Sequence, residues 1–148
     1  MMLNQIQVTN VPLDLIENMV SLALLEDVGQ EDITAQLVKD IDTSAFCLTR
    51  EDMILCGKEF ANEVVRQLDD SISVKWFYND GDFVSATNKI FELHGNARNI
   101  LTAERNMMNF IQTLSATSTA TYNMSKLIAQ YKTKLLDTRK TIPGIRIA

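Results

Sequence analysis

Between Leu15 and Leu24 the apolar residues Leu15, Ile16, Met19, Val20, Ala23 and Leu24 recur at helical spacing. Asn10 can cap this helix, Pro12 is tolerated in its first turn, and Gly29 ends it. From Thr43 to Arg50 the period changes to two, which predicts a half-buried strand with Ala45 and Cys47 on one face and Phe46 and Leu48 on the other. Gly57 then opens a second helix with the stripe Phe60, Ala61, Val64, Val65 and Leu68, closed by Asp69-Asp70-Ser71. Ile72, Val74, Trp76 and Tyr78 alternate as the next strand, Asn79-Asp80-Gly81-Asp82 is a turn, and Ile90 to Leu93 is a further strand. Up to this point the pattern is α+β with mostly antiparallel pairing.

The texture changes after Gly95. No Gly or Pro occurs from Ala97 to about Tyr131, and Leu101, Met107, Met108, Ile111 and Leu114 supply a helical core face. Within it, Leu114-Ser115-Ala116-Thr117-Ser118-Thr119-Ala120-Thr121 is small, hydroxyl-rich and poor in helix propensity. Such a stretch predicts either a break between two helices or a close backbone approach. Arg105 lies on the flank of the apolar stripe, four residues after Leu101 and three before Met108. A guanidinium there either snorkels to water or points at an anion.

Charge sharpens the picture. The formal net charge is −5, yet residues 132–148 hold Lys132, Lys134, Arg139, Lys140 and Arg146 against the single acid Asp137. An acidic body with one concentrated basic segment argues against nucleic-acid binding, which uses a wide basic face, and favours a local site for a small polyanion. A solvated, lysine-rich strand end explains the same charges equally simply. Glu26 and Asp27 fall near the end of the first helix, where acids meet the negative end of the dipole; they either cap another group or lie in a solvated loop.

Composition sets the outer bounds. Apolar content of 46% and charged content of 22% are those of a globular domain with a real core. The longest apolar stretches are too short to span a bilayer, and Met1 to Thr9 lacks a secretory pattern, so a cytoplasmic protein without membrane contact is expected. Cys47 and Cys56 fit neither a disulfide framework nor a four-ligand zinc site and are expected as two buried thiols. His94 has no second ligand or nucleophile spaced to use it, Asp80 and Asp82 flank a turn glycine as a solvated hairpin, and the seven methionines fill core gaps.

Two motifs carry a family resemblance. Glu104-Arg105-Asn106-Met107-Met108-Asn109-Phe110-Ile111-Gln112, followed by Leu114-Ser115, and then Asp137-Thr138-Arg139-Lys140-Thr141-Ile142-Pro143-Gly144-Ile145-Arg146, resemble quinolinate phosphoribosyltransferase, the carboxylating nicotinate-nucleotide pyrophosphorylase. Leu25-Glu26-Asp27, Asp32-Ile33-Thr34, Arg50-Glu51-Asp52 and the segment from Leu93 to Arg98 fall in family order. Two departures stand out: Glu31 precedes Asp32 where the family usually has glycine, and Ala116 replaces the glycine after Leu-Ser. Both are backbone-geometry positions, so they bear on packing more than on chemistry.

The resemblance implies an N-terminal open-faced α/β sandwich over residues 1–112. Residues 113–148 would then begin a C-terminal incomplete α/β barrel, whose first strand runs roughly from Lys134 to Asp137. A barrel needs about 200 residues or more, so this chain can hold the start of one and no more. The implied reaction moves a phosphoribosyl group from phosphoribosyl pyrophosphate to quinolinate and releases carbon dioxide, within NAD biosynthesis. By resemblance, Arg105 meets a quinolinate carboxylate from the neighbouring subunit of a homodimer or higher oligomer, Thr138 and Arg139 bind substrate, and Lys140 faces the donor as a catalytic residue. Magnesium is expected with the donor, its ligands lying elsewhere. Two other readings stay open: a noncatalytic folding or dimerisation module, and a molybdenum-transport-associated paralogue of the same fold.

Overall fold

The computed structural model describes residues 11–28 and 32–146. Asn10, Gly29 and Glu31, to which the sequence assigned a cap, a helix stop and a family departure, lie outside the described residues. The order of elements is α1 (Leu13–Val28), α2 (Ile33–Gln36), β1 (Asp42–Leu48), β2 (Met53–Ile54), α3 (Lys58–Leu68), β3 (Ser73–Trp76), β4 (Phe83–Val84), β5 (Lys89–Asn96) and α4 (Ala97–Ile128). The α+β architecture with antiparallel strands is as expected.

β5 is the centre of a three-stranded antiparallel sheet, flanked by β1 and β3. Its register places Ala45, Leu93 and Val74 side by side, and likewise Cys47, Phe91 and Trp76. Because side chains alternate across a strand, these rows all face one way, toward α4, which packs against β5 and β1. The opposite face carries Ser44, Phe46, Lys75, Glu92 and His94 and is open. Lys89 lies 4.5 Å over the Phe46 ring and pairs with Glu92, so the exposed Phe46 ring sits beneath a cation.

α3 packs on α4, and α1 packs on α3. Phe60 of α3 stacks on Phe110 of α4 at 5.0 Å, while Ile16 and Val20 are the buried side of α1. One apolar cluster joins these helices to the sheet. Glu63 is a buried acid in this interface; Arg66 and Gln67 donate to it, and Arg66 also reaches Glu17 of α1. That network is a structural strut between α1 and α3.

The hydroxyl-rich stretch 114–121 does not break the helix. α4 is continuous from Ala97 to Ile128, and the stretch instead permits a close backbone approach. The Cys56 N–H donates to Ser115 Oγ at 3.0 Å, and the Ser115 hydroxyl donates to the Cys56 carbonyl at 3.0 Å. One turn on, Thr119 Oγ1 accepts from the Ile54 N–H at 2.9 Å. Serine and threonine thus satisfy the free edge of β2, a two-residue strand paired only with β4. Gly57, at φ +108°, completes the approach: a Cβ there would lie 3.3 Å from the Phe110 carbonyl oxygen and 3.4 Å from Ile111 Cα.

Three expectations need correction. Lys134 to Asp137, expected as a strand, forms no ladder; with no strand beside it among the described residues, its backbone has nothing to pair with, and Leu136 is 80% exposed. Asp80 is not simply a solvated turn residue, because its carboxylate accepts from the Lys58 N–H and caps α3, which Gly57 cannot do. Burial pushes its pKa up against that bond. The thiols of Cys47 and Cys56 are free but only half-buried, and burial raises both pKa values, that of Cys56 to about 11.

Candidate functional site: a clamped arginine beside an open cleft

α4 presents Thr102, Arg105 and Asn106 toward the end of α1 and the start of α2. Asp32 caps α2, with Oδ1 accepting from the Thr34 and Ala35 N–H groups at 3.0 and 3.1 Å. Its other oxygen, Oδ2, accepts from Arg105 Nη2 at 2.7 Å. Asp27, near the end of α1, takes the adjacent guanidinium position: Arg105 Nε lies 3.0 Å from Asp27 Oδ2 and 3.2 Å from Oδ1. Asn106 Nδ2 donates to the same Asp27 oxygen at 3.1 Å. The Thr102 hydroxyl lies 2.9 Å from Asp32 Oδ2 and 3.1 Å from the Arg98 carbonyl, so its single proton serves one of the two.

Thr102 and Asn106 are buried, and the Asp32 side chain is 8% exposed, whereas that of Arg105 remains 36% exposed. The Arg105 guanidinium, its hydrogen bond first, holds the Asp32 carboxyl down at about 2 against the upward push of burial. The same bond, with that from Asp27, raises the pKa of Arg105. Asp32 and Arg105 are therefore both charged at neutral pH, and no buried side-chain polar atom among the described residues lacks a partner. Of the two sequence readings for Arg105, pointing at an anion is the one realised here, and the anions are carboxylates of its own chain.

Asp27 and Asn106 also line a cleft of about 620 Å³ between α1, α4 and the segment 142–145. Its floor is apolar, with Met19, Phe110 and Leu114, and Ile142 and Pro143 form the far wall. Thr138, Arg139 and Lys140 lie exposed in the irregular segment leading to that wall, where the Lys140 N–H donates to Thr138 Oγ1 at 3.3 Å. Among the described residues no hydrogen bond or ion pair joins Arg105 to this basic cluster. His94 lies on the open sheet face, with Ser44 Oγ 3.1 Å from its Nδ1 and outside the cleft. No group of three His, Cys, Asp or Glu that could hold a metal occurs among the described residues. Asp27 and Asp32 are taken up by Arg105, so these residues do not fit a magnesium site.

Asp32 stood in the sequence only as part of a motif, and Thr102 and Asn106 were not singled out as site residues. A signal was present: both are polar residues interrupting an apolar helix face within three positions of an arginine, which calls for a buried partner.

The sequence pattern of the family "Quinolinate phosphoribosyl transferase, N-terminal domain" matches residues 32–115, more than half of the chain and inclusive of Asp32, Thr102, Arg105 and Asn106. The chain belongs to this family. It is similar to the nicotinate-nucleotide pyrophosphorylase of Francisella tularensis, whose solved structure it matches at 59% identity and a TM-score of 0.92, over 97% of this chain and 52% of that one. Among curated proteins it is 38% identical over 135 residues to the mitochondrial quinolinate phosphoribosyltransferase (decarboxylating) 2b of Nicotiana tabacum, covering 89% of this chain and 38% of that protein. It is 33% identical over 124 residues to the probable nicotinate-nucleotide pyrophosphorylase (carboxylating) of Bacillus subtilis, covering 83% and 43%. The chain thus spans less than half the length of these curated relatives and about half that of the solved structure. No helix among the described residues is long and apolar enough to cross a membrane.

Proposed function

We propose that this chain supplies the N-terminal domain, residues 1–112, and the entry into the second domain, residues 113–148, of a quinolinate phosphoribosyltransferase. The observation that carries the reading is the family match through the Arg105 network, joined to 59% identity with a nicotinate-nucleotide pyrophosphorylase. In the reaction the pyridine nitrogen of quinolinate forms a bond to C1′ of phosphoribosyl pyrophosphate as the bond from C1′ to pyrophosphate breaks. The carboxylate beside the ring nitrogen then leaves as carbon dioxide, and the electron pair left on the ring carbon takes up a proton to give nicotinate mononucleotide.

Both reactants are anions, so the protein's task is to gather them and fix their geometry. Arg105 meets a quinolinate carboxylate, a planar fork against a planar acceptor. Arg139 and Thr138 bind substrate, and Lys140 faces the donor. In this reading the site is shared between two copies, Arg105 serving its neighbour. Magnesium arrives with the donor's phosphates. No nucleic acid or membrane takes part, and the protein works in the cytoplasm, unlike the mitochondrial tobacco relative.

Steady-state assay of the full-length protein, of which this chain would be the N-terminal part, with quinolinate and the magnesium-bound donor tests the reading. Arg105→Ala should weaken quinolinate binding by about 2–3 kcal/mol, because a buried carboxylate loses its charged partner. Mixing Arg105→Ala with a separately inactive Lys140→Ala should restore part of the activity in hybrid dimers. Absence of quinolinate turnover by the full-length protein would sink the assignment, whereas this chain alone, with only part of the site, is expected to be inactive; no recovery on mixing would sink the shared site.

A further inference from the structure

The guanidinium of Arg105 is used on one edge only. Nε and Nη2 lie on the same side of the group, and each has its own carboxylate: Asp27 at 3.0 Å and Asp32 at 2.7 Å. Among the described residues no acceptor is paired with Nη1. The end-on edge, Nη1 with the second proton of Nη2, is left open, in keeping with the 36% exposure of the side chain. Each carboxylate is in turn fixed. Asp32 is held by two backbone N–H groups, and Asp27 by the buried Asn106. A long, flexible side chain has thereby been given one orientation by groups that belong to three different elements, α1, α2 and α4.

Two acids on one cation do not by themselves set Arg105 apart, since Arg66 holds Glu63 and Glu17 in the strut between α1 and α3; what sets it apart is that its partner Asp27, and Asn106 beside it, line the cleft. Two carboxylates weaken the long-range pull of the arginine on an anion but leave its directed hydrogen bonds intact. What the arrangement gains is preorganisation: the side-chain entropy lost on fixing the guanidinium is spent on folding rather than on binding.

We propose that Asp27 and Asp32 are positioning residues, which grip the Nε and Nη2 edge of Arg105 and present its remaining edge to a ligand carboxylate. The inference rests on the quinolinate reading above, and goes beyond it by assigning how the arginine is aimed. It also makes a specificity claim: a bidentate carboxylate fits the open edge, whereas the phosphate-bearing donor is bound elsewhere and is indifferent to the clamp.

Asp32→Asn is the informative variant, because asparagine caps a helix as well as aspartate does while removing the charge that holds Nη2. In the full-length protein, with both substrates varied, the KM for quinolinate should rise about tenfold while that for the donor changes less than twofold. Asp27→Asn should act in the same direction. In an Arg105→Ala background, Asp32→Asn should add less than a further twofold, since there is no guanidinium left to aim. Equal changes in both KM values, no change in either, or a tenfold effect that persists without Arg105 would each overturn the clamp.

An inactive full-length protein would remove the quinolinate reading, and this inference with it. Turnover with unclamped behaviour would remove the inference alone. A second measurement needs no activity: in the 15N spectrum of the arginine side chains, the Arg105 Nε–H should exchange slowly in the unaltered protein and fast in Asp27→Asn. Unchanged exchange would also overturn it.

Discussion

Gly57→Ala would test whether the close approach of β2 and α3 to α4 holds the domain together. Gly57 stands at φ +108° and ψ 14°, where an L side chain costs about 1–2 kcal/mol. The added Cβ would also meet α4 on three sides: Leu114 Cδ1 at 3.2 Å, the Phe110 carbonyl oxygen at 3.3 Å and Ile111 Cα at 3.4 Å. Leu114 can turn away, but the other two atoms are helix backbone, so α4 and the β2–α3 junction must part by a few tenths of an ångström. Overpacking of this kind costs about 1–3 kcal/mol. The sum, about 3 kcal/mol, is a large share of the roughly 5–15 kcal/mol by which domains of this size are stable.

Gly81→Ala is the natural control. Its φ is +90°, yet nothing lies within 4 Å of the position a Cβ would take, so it carries the backbone cost without the clash. Urea unfolding followed by circular dichroism gives both numbers. With a slope of about 2 kcal/mol/M, Gly57→Ala should lower the midpoint by about 1.5 M and Gly81→Ala by about half as much. Equal losses for the two variants would refute the packing argument, and a Gly57→Ala loss below about 0.5 M at unchanged slope would refute both parts of it.

Two further outcomes follow from the same structure. Ser115→Ala leaves both the N–H and the carbonyl of Cys56 without their partner, so urea unfolding should show a loss of about 2–3 kcal/mol; Thr117→Ala, on the exposed side of the same helix, should change stability by less than about 0.5 kcal/mol. The Asp32 carboxyl, held at about 2 instead of 3.8 chiefly by Arg105, contributes about 2 kcal/mol that is fully present above about pH 4 and is lost as pH falls toward 2. Unfolding at pH 7, 4 and 2.5 should therefore show a shallower acid loss in Asp32→Asn than in the unaltered protein, and an identical slope would refute the assignment.

Much of the fold was legible because it rests on local pattern. The alternation in β1 and the stripe of α3 are each readable from a few consecutive residues and Gly57 marks its own junction, whereas the continuity of α4 through its hydroxyl-rich stretch was left open by the sequence. β2 and β4 were not legible, since two residues cannot show a period and their pairing of Met53 with Val84 is decided by tertiary context. α2 is a single turn held by Asp32, a cap whose value depends on Arg105, distant in sequence. The Lys134–Asp137 run shows the converse failure: apolar residues permit a strand, but a strand exists only where a neighbour takes up its N–H and carbonyl groups. At the site, sequence found the cation and both families of anion, Glu26-Asp27 and Asp32-Ile33-Thr34, but no spacing rule joins residues so far apart.

The two basic features of the chain do different physical work. Arg105 is balanced by Asp27 and Asp32, so its neighbourhood gives little attraction at distances beyond hydrogen-bond contact. Lys132, Lys134, Arg139, Lys140 and Arg146 are set against one acid, and the ion pair of Asp137 with Arg146 is long at 3.9 Å and exposed. An exposed pair of that length is worth little, so the segment keeps most of its field. On the proposed reading, attraction of an anionic ligand would belong to the basic segment and orientation to the clamped arginine. A site split this way can hold its arginine rigid without making it sticky to every anion, because the group that aims is not the group that attracts.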